Sequence, residues 1–425
     1  MLYHLFEWFK AEDIRFPGSA LFQFITFRVL LAVILSLLVS TLIGKRIILF
    51  LRRRQIGETV RDLGLAGEQQ KKGTPTMGGI IIILAILIPT LLLANLEKVY
   101  IRLMILSTVW LGVIGFLDDY FKIRAKRLAQ QKGVAYKKGD GDGLAGKTKI
   151  FGQVILGVIV GATLYFNPNV QIWREYQGKP AAGDSSIITR KIGERTRYFV
   201  AAKDPVTTIP FVKGHEFNYA KLLPEALRDY TWVLYILIVI FIITAVSNGS
   251  NITDGLDGLA TGTSALIGVC LGIFAYASGS FLLADYLNIM YIPNLAELSV
   301  FIGAMIGACV GFLWYNSYPA QVFMGDTGSL MLGGVIAALA IIVHKELLIP
   351  IFCGVFLVES ISVMLQVGYF KYTKKKFGEG RRIFLMSPLH HHYQKLGYHE
   401  AKIATRFWIV TLLCVVMSIV TLKLR

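Results

Sequence analysis

Long apolar runs alternate with short polar connections along the whole chain. Runs of roughly 17 to 25 apolar residues are long enough for a helix to cross a bilayer, which predicts about ten spans. They are read near 22–43, 77–95, 99–117, 150–166, 232–247, 259–283, 298–315, 328–343, 347–370 and 407–422. The pattern predicts an all-α polytopic membrane protein, with residues 1–425 forming one integral membrane domain. Residues 1–20 carry Glu7, Lys10, Glu12, Asp13 and Arg15 and have no uninterrupted apolar core. They read as an amphipathic lead-in lying at the interface rather than as a signal peptide.

Counting spans sorts the polar motifs. The basic stretch 45–72, the connections 118–149, 248–257 and 316–326, and the tail 371–406 all fall in connections of one parity, hence on one face of the membrane. That face carries Arg52-Arg53-Arg54, Lys71-Lys72, Lys374-Lys375-Lys376 and Arg381-Arg382, and the positive-inside rule makes it cytoplasmic. Both termini are then expected outside. The long connection 168–230 also falls outside despite its Lys and Arg, as long loops translocate largely regardless of charge. Thr207-Thr208-Ile209 among Gly and Pro residues predicts a small β-rich insertion there, in which the lone His215 reads as solvated.

The chain is 55% hydrophobic, with 44 Lys and Arg against 27 Asp and Glu, a formal charge of +17. Such a charge could serve nucleic acid, but no basic, aromatic-interleaved soluble domain is present to carry that role. Membrane orientation and anionic ligands account for it better. Cys270, Cys309, Cys353 and Cys414 sit in separate apolar runs without metal spacing and read as small apolar fillers.

Acids and amides at the ends of apolar runs are the candidate chemistry, because ionisable groups beside a bilayer core are costly. Asp118-Asp119 closes the third span. Adjacent carboxylates cannot face the same way on a helix, so one can meet a ligand while its neighbour meets a base or cation. The bland alternative is a solvated helix end paired with Lys122, although two acids at a helix C-terminus oppose its dipole. Asn248, Asn251, Asp254 and Asp257 recur every third residue, with Gly249, Gly255 and Gly258 permitting tight turns. From Gly258 onward a helix start would offer free N–H groups to an anion.

Asp326 in Phe-Met-Gly-Asp-Thr-Gly-Ser opens the eighth span and could be a simple N-cap. Asn316 and Phe323 nearby add a hydrogen-bonding group and a ring able to meet a base. Lys71, Thr74 and Thr76 precede span two in a Gly- and Pro-shaped turn, where Lys offers point charge for phosphate; the Walker spacing is absent. His390, His391 and His392 point in different directions on any regular helix, which disfavours zinc and favours hydrogen bonds or partial positive charge toward phosphate.

Taken together, Lys71-Lys-Gly-Thr-Pro-Thr76-Met-Gly-Gly, Asp118-Asp119-Tyr-Phe-Lys122, Asn251-Ile-Thr-Asp254-Gly-Leu-Asp257-Gly, Phe323-Met-Gly-Asp326-Thr-Gly-Ser and Pro388-Leu-His-His-His make nearly the whole chain resemble one family. It is that of the polyprenyl-phosphate N-acetylhexosamine-1-phosphate transferases. Within it the His run is similar to the bacterial branch that uses phospho-N-acetylmuramoyl-pentapeptide, and the stretch 168–230 departs from the compact family pattern.

The resemblance implies a multi-pass protein of the bacterial cytoplasmic membrane that moves phospho-MurNAc-pentapeptide from UDP to undecaprenyl phosphate. The products would be UMP and the first lipid-linked peptidoglycan precursor. It implies Mg²⁺ with Asp326 as its ligand, and Asp118 and Asp119 on the lipid phosphate or supporting it. His390, His391, His392 and Lys147 would line the sugar-phosphate or lipid-phosphate side. Lys71, Thr76, Asn248, Asn251, Asp254, Asp257, Asn316 and Phe323 would surround the nucleotide. A homodimer is carried as an expectation. The alternatives are a sister transferase using UDP-N-acetylglucosamine, and a nucleotide-sugar transporter or flippase. Transporters tend to place such groups at the midplane on broken helices within internal repeats, and no repeat is apparent here.

Overall fold

The structure is a computed structural model that describes residues 1–14, 17–54, 71, 73–131, 143–176, 187–192, 195–209 and 216–423. Lys72 and His215 lie outside the described residues. The helices are α1 (Leu2–Ala11), α2 (Ile25–Leu38), α3 (Gly44–Arg54), α4 (Gly79–Leu93), α5 (Val99–Gln131), α6 (Gly146–Phe166), α7 (Thr231–Thr253) and α8 (Leu259–Gly279). They continue with α9 (Phe281–Leu287), α10 (Leu298–Asn316), α11 (Gly325–Ile342), α12 (Ile349–Phe352), α13 (Gly354–Phe377), α14 (Leu389–Lys395) and α15 (Glu400–Val420).

Among the described residues, nine helical stretches are long and apolar enough to cross a membrane. The remaining predicted span, 77–95, is α4, whose 15 residues reach about 22 Å at the helical rise, short of a bilayer core. Residues 74–77, without regular secondary structure, lead into it, with Met77 at φ +70°.

Several predicted ends need correction: the first helical stretch runs past 43 to Arg54, the ninth span runs past 370 to Phe377, and the tenth starts at Glu400 rather than 407. Helix α5 does not stop at 117 but runs to Gln131, and α7 runs past 247 to Thr253. Hydropathy reports where apolar residues end; Lys, Arg and amide side chains carry a helix onward. Asp118 is therefore interior to a helix, and the dipole objection at a C-terminus does not apply to it.

Helices α10 and α11 are the most enclosed, with α10 against α2, α4 and α8, and α11 against α5 and α7. Gly303, Gly307 and Gly311 form a small-residue stripe at four-residue spacing that admits α2 closely: a Cβ on Gly307 would meet the Val33 carbonyl at 2.4 Å. At one end of this packing Arg28 and Glu297 pair in the interior, and Glu297 also accepts the Asn95 N–H at 2.7 Å.

The connection between α6 and α7 holds β1 (Ile172–Glu175), β2 (Ile187–Ile192), β3 (Arg195–Ala202), β4 (Val206–Thr208) and β5 (Glu216–Asn218). Strands β1-β3-β2 form one antiparallel sheet, and β4 pairs with β5 through Val206↔Asn218. The insertion is β-rich as its composition predicts. It docks on the turn after α11: Thr208 donates its N–H to the His344 carbonyl at 3.1 Å, Lys345 donates to the Thr208 hydroxyl at 2.9 Å, and Tyr219 donates to Glu346 at 2.7 Å. Helix α1 meets the C-terminal end of α4, where Met1 donates to the Leu91 carbonyl at 2.6 Å.

Candidate active site

At the other end of the bundle, α7 and α10 finish, α4, α6, α8, α11 and α15 begin, and α5 passes through. The motifs expected on one face therefore meet. Asp118 on α5 and Asp326 on α11 share two ammonium groups. Lys122 Nζ lies 2.6 Å from Asp118 Oδ2 and 3.0 Å from Asp326 Oδ2, and Lys149 Nζ lies 3.1 and 2.7 Å from the same oxygens. Asp118 is wholly buried, so the pairing with Lys122 belongs to the interior rather than to a solvated helix end. Its second oxygen accepts the Leu144 N–H at 2.7 Å. Asn251 on α7 completes the group, donating to Asp326 Oδ1 at 2.8 Å and to Ser329 at 2.9 Å.

Asp119 faces elsewhere, about 100° further round α5. Its carboxylate accepts the N–H of Asp326 at 3.2 Å and of Thr327 at 2.9 Å, and the Thr327 hydroxyl at 2.6 Å. Asp326 is thus not the cap of α11; the cap comes from α5. The approach is tight: a Cβ on Gly115 would lie 2.2 Å from the Asp326 carbonyl, and Gly325 sits at φ +71° in the left-handed region. Oxygens of Asp118, Asp119 and Asp326 lie within 4.8 Å of one another, a carboxylate cluster able to hold a metal ion. Hard oxygen donors of this kind suit Mg²⁺.

Beside this cluster the segments 75–79 and 323–324 run together: Phe323 donates its N–H to the Pro75 carbonyl at 2.9 Å, and Gly78 returns one to the Phe323 carbonyl at 2.8 Å. Lys71 Nζ lies 2.9 Å from Asp257 Oδ1, 2.5 Å from Glu400 Oε1 and 5.9 Å from the centre of the Phe323 ring. Burial works to lower the Lys71 pKa, but the Glu400 and Asp257 carboxylates outweigh it and hold the lysine charged above its usual range. An ammonium, a carboxylate and an aromatic ring thus face one place.

Comparisons with known proteins place the sequence in a family. Residues 101–344 fit the model of glycosyl transferase family 4, and residues 71–83 fit signature 1 of the phospho-N-acetylmuramoyl-pentapeptide-transferases. Curated proteins of that name are similar over the full length of both chains, at 58% identity in Flavobacterium psychrophilum and Flavobacterium johnsoniae and 50% in Porphyromonas gingivalis W83. The chain belongs to the phospho-N-acetylmuramoyl-pentapeptide-transferase family.

Several residues expected to face ligands are also hydrogen-bonded within the protein. Asn316 is buried; its oxygen accepts from Gly258 N at 3.2 Å and Thr261 at 2.9 Å, and its amide donates to the Val322 carbonyl at 3.0 Å. The Gly258 N–H, expected to be open to an anion, is thereby taken. Asn248 stands one turn before Asn251 and donates to Gln153 at 3.0 Å and to Thr244 at 2.8 Å, bridging α7 to α6. Lys147 is exposed in the first turn of α6; two residues along, about 200° round the helix, Lys149 reaches the carboxylates.

The three histidines separate as their spacing requires. His390 is wholly buried, with Nδ1 3.1 Å from Glu359 Oε2 and its ring against Gly255, where a Cβ would lie 2.2 Å from Nε2. His391 Nδ1 is 2.7 Å from Gln394 Oε1, and His392 accepts the Leu385 N–H at 3.2 Å. Thr76 flanks Asp119: a Cβ on Gly325 would lie 2.8 Å from Thr76 Oγ1 and 2.5 Å from Asp119 Oδ2. Asp254 follows α7 as its C-cap. Lys149, Glu359 and Glu400 are members of the site that no motif announced, although Glu400 and Lys149 both stand in the first turns of apolar helices.

Proposed function

We propose that this transferase moves phospho-N-acetylmuramoyl-pentapeptide from its UDP carrier to undecaprenyl phosphate at the cytoplasmic face of the bacterial inner membrane, releasing UMP. The observation that carries the reading is the buried Asp118–Asp326 pair held between two lysines beside the Lys71–Asp257–Phe323 face. A soluble anionic donor and a lipid phosphate need such a meeting place at a membrane interface. The basic connections at this end of the bundle support the cytoplasmic orientation.

In the reaction an acceptor phosphate oxygen forms a bond to the sugar-bearing phosphorus of the donor. The bond from that phosphorus to the bridging oxygen breaks, and UMP leaves with the bonding pair. The acceptor phosphomonoester, with a second pKa near 6, is largely dianionic at neutral pH, so no strong general base is needed, and direct attack is favoured over a phospho-enzyme. Phosphoryl transfer is then chiefly positioning and charge neutralisation. Lys122 and Lys149 stand ready to take phosphate oxygens from their carboxylate partners. Asp118 keeps both ammonium groups in place and borders the acceptor phosphate.

Asp119 has its oxygens committed to α11 and orients Asp326 rather than contacting substrate. Asp326 and Asp118 would hold Mg²⁺, with Asp326 the principal ligand. Bound there, the ion would neutralise charge on the diphosphate oxygens as UMP leaves. Phe323 offers its ring to the uracil, while Lys71 and Asp257 supply a donor and an acceptor for its edge. Asn251 steadies Asp326, and the His390–Glu359 pair supports the loop at Gly255. The test is UMP release in detergent from UDP-MurNAc-pentapeptide with undecaprenyl phosphate and Mg²⁺. Turnover with UDP-N-acetylglucosamine in its place would move the chain to the sister branch, and no release at all would sink the reading.

A further inference from the structure

Lys71 has two carboxylate partners, but only Glu400 touches both members of the base-facing pair. Its Oε1 accepts the Lys71 ammonium at 2.5 Å and the Asp257 backbone N–H at 2.7 Å. Asp257 in turn accepts the Ala320 N–H at 2.9 Å through Oδ2. Three elements distant in sequence therefore meet at one oxygen: the segment before α4, the loop before α8, and the first residue of α15. The Glu400 side chain is 3% exposed and the Lys71 side chain 18%, so the carboxylate stands behind the lysine.

A bland role is a fastening of α15 to the loop. A fastening needs only an acceptor, which a neutral amide provides without the cost of burying a charge. Glu400 instead places a carboxylate beside the ammonium, with Oε1 on Lys71 and Oε2 lacking any hydrogen-bond partner. Its place in the first turn of α15 puts the helix dipole behind that carboxylate.

We infer that Glu400 is a positioning residue for the nucleotide donor, holding the Lys71 ammonium and Asp257 in one arrangement beside the Phe323 ring. The inference rests on the transferase reading above and adds to it a residue that acts through Lys71 rather than on substrate.

The test compares the full-length protein with Glu400→Gln, Lys71→Met and the double variant. UMP release is measured with donor and polyprenyl phosphate varied separately, and UDP binding is measured at equilibrium in detergent. Glu400→Gln keeps an acceptor at the position and removes the charge. It is expected to raise the donor KM and the UDP Kd about tenfold, the scale of one charge-assisted hydrogen bond. The acceptor KM and kcat should hold within about threefold, and the same change in the Lys71→Met background should add less than about twofold. An unchanged donor KM, parallel changes in both KM values and kcat, or full multiplication of the two substitutions would overturn the assignment. Wild-type protein that releases no UMP would overturn the transferase reading instead, while the UDP-binding arm would still decide the role of Glu400.

Discussion

Asp119 on α5 caps α11 through Thr327, taking its backbone N–H at 2.9 Å and its hydroxyl at 2.6 Å. The arrangement satisfies a free N–H at the helix start and holds Asp326, the neighbour of Thr327, toward the lysines. Thr327→Val removes the hydroxyl contact and leaves the backbone bond. It is expected to cost about 1 kcal/mol of stability and roughly tenfold in kcat through misplacement of Asp326. Thermal unfolding and UMP release on one preparation check it; full activity alongside lost stability would show that the cap does not position Asp326.

Lys149 and Lys147 stand two residues apart on α6, and only Lys149 meets Asp118 and Asp326. Lys149→Met is expected to lose about a hundredfold in kcat, near the value of one buried charge-assisted contact to a reacting group. Lys147→Met should lose at least tenfold less. Equal losses would return Lys147 to the phosphate side on the same footing.

Asp326 is the proposed principal Mg²⁺ ligand. Asp326→Ala is expected to abolish measurable turnover without rescue by saturating Mg²⁺, and chelation of the wild-type protein should stop UMP release reversibly. Near-normal turnover of the variant would remove the assignment.

The turn after α11 makes an unusual junction with the β-rich insertion. Burial pushes Glu346 up to about 7 from its ordinary 4.5, with Tyr219, Thr207 and Lys345 pulling it down, and burial lowers Lys345 to about 8. His344 is also lowered by burial, against its contact with the Val206 carbonyl. For a carboxyl raised on folding, stability is fully present below the unfolded value and is lost as pH rises through the folded one. The Glu346 contribution should therefore fall between pH 4.5 and about 7, by about 3 kcal/mol at most, while His344, lowered on folding, adds stability as pH rises toward its ordinary 6.5. Lys345, lowered on folding, returns stability only above about 8. Glu346→Gln should remove the Glu346 part of the change in Tm between pH 5 and 7. Parallel curves for variant and wild type would show that Glu346 does not drive it.

Much of this was legible before the structure. Apolar runs marked the helices because each must bury or face lipid along its whole length, and alternate connections gathered the acids at one end because a spanning chain has only two sides. The three-residue spacing of Asn248 and Asn251 marked the segment as candidate chemistry, but the segment reads as a connection, whereas α7 continues through it to Thr253. Ordered adjacent acids, as in Asp118-Asp119, announced that their duties differ.

Which duty fell to which residue was decided by packing. Adjacent side chains on α5 point about 100° apart, so the close approach of α11 at Gly115 sends Asp119 to a helix cap and leaves Asp118 to the lysines. The choice of Lys149 over Lys147 depends on how α6 is turned, and the arrival of Glu400 behind Lys71 depends on where α15 starts. Hydropathy and spacing are local properties and determined the helices and the side on which their chemistry lies. The contacts among residues 71, 257 and 400, or 119 and 327, join positions far apart in the chain, and only the docking of helices against one another sets them.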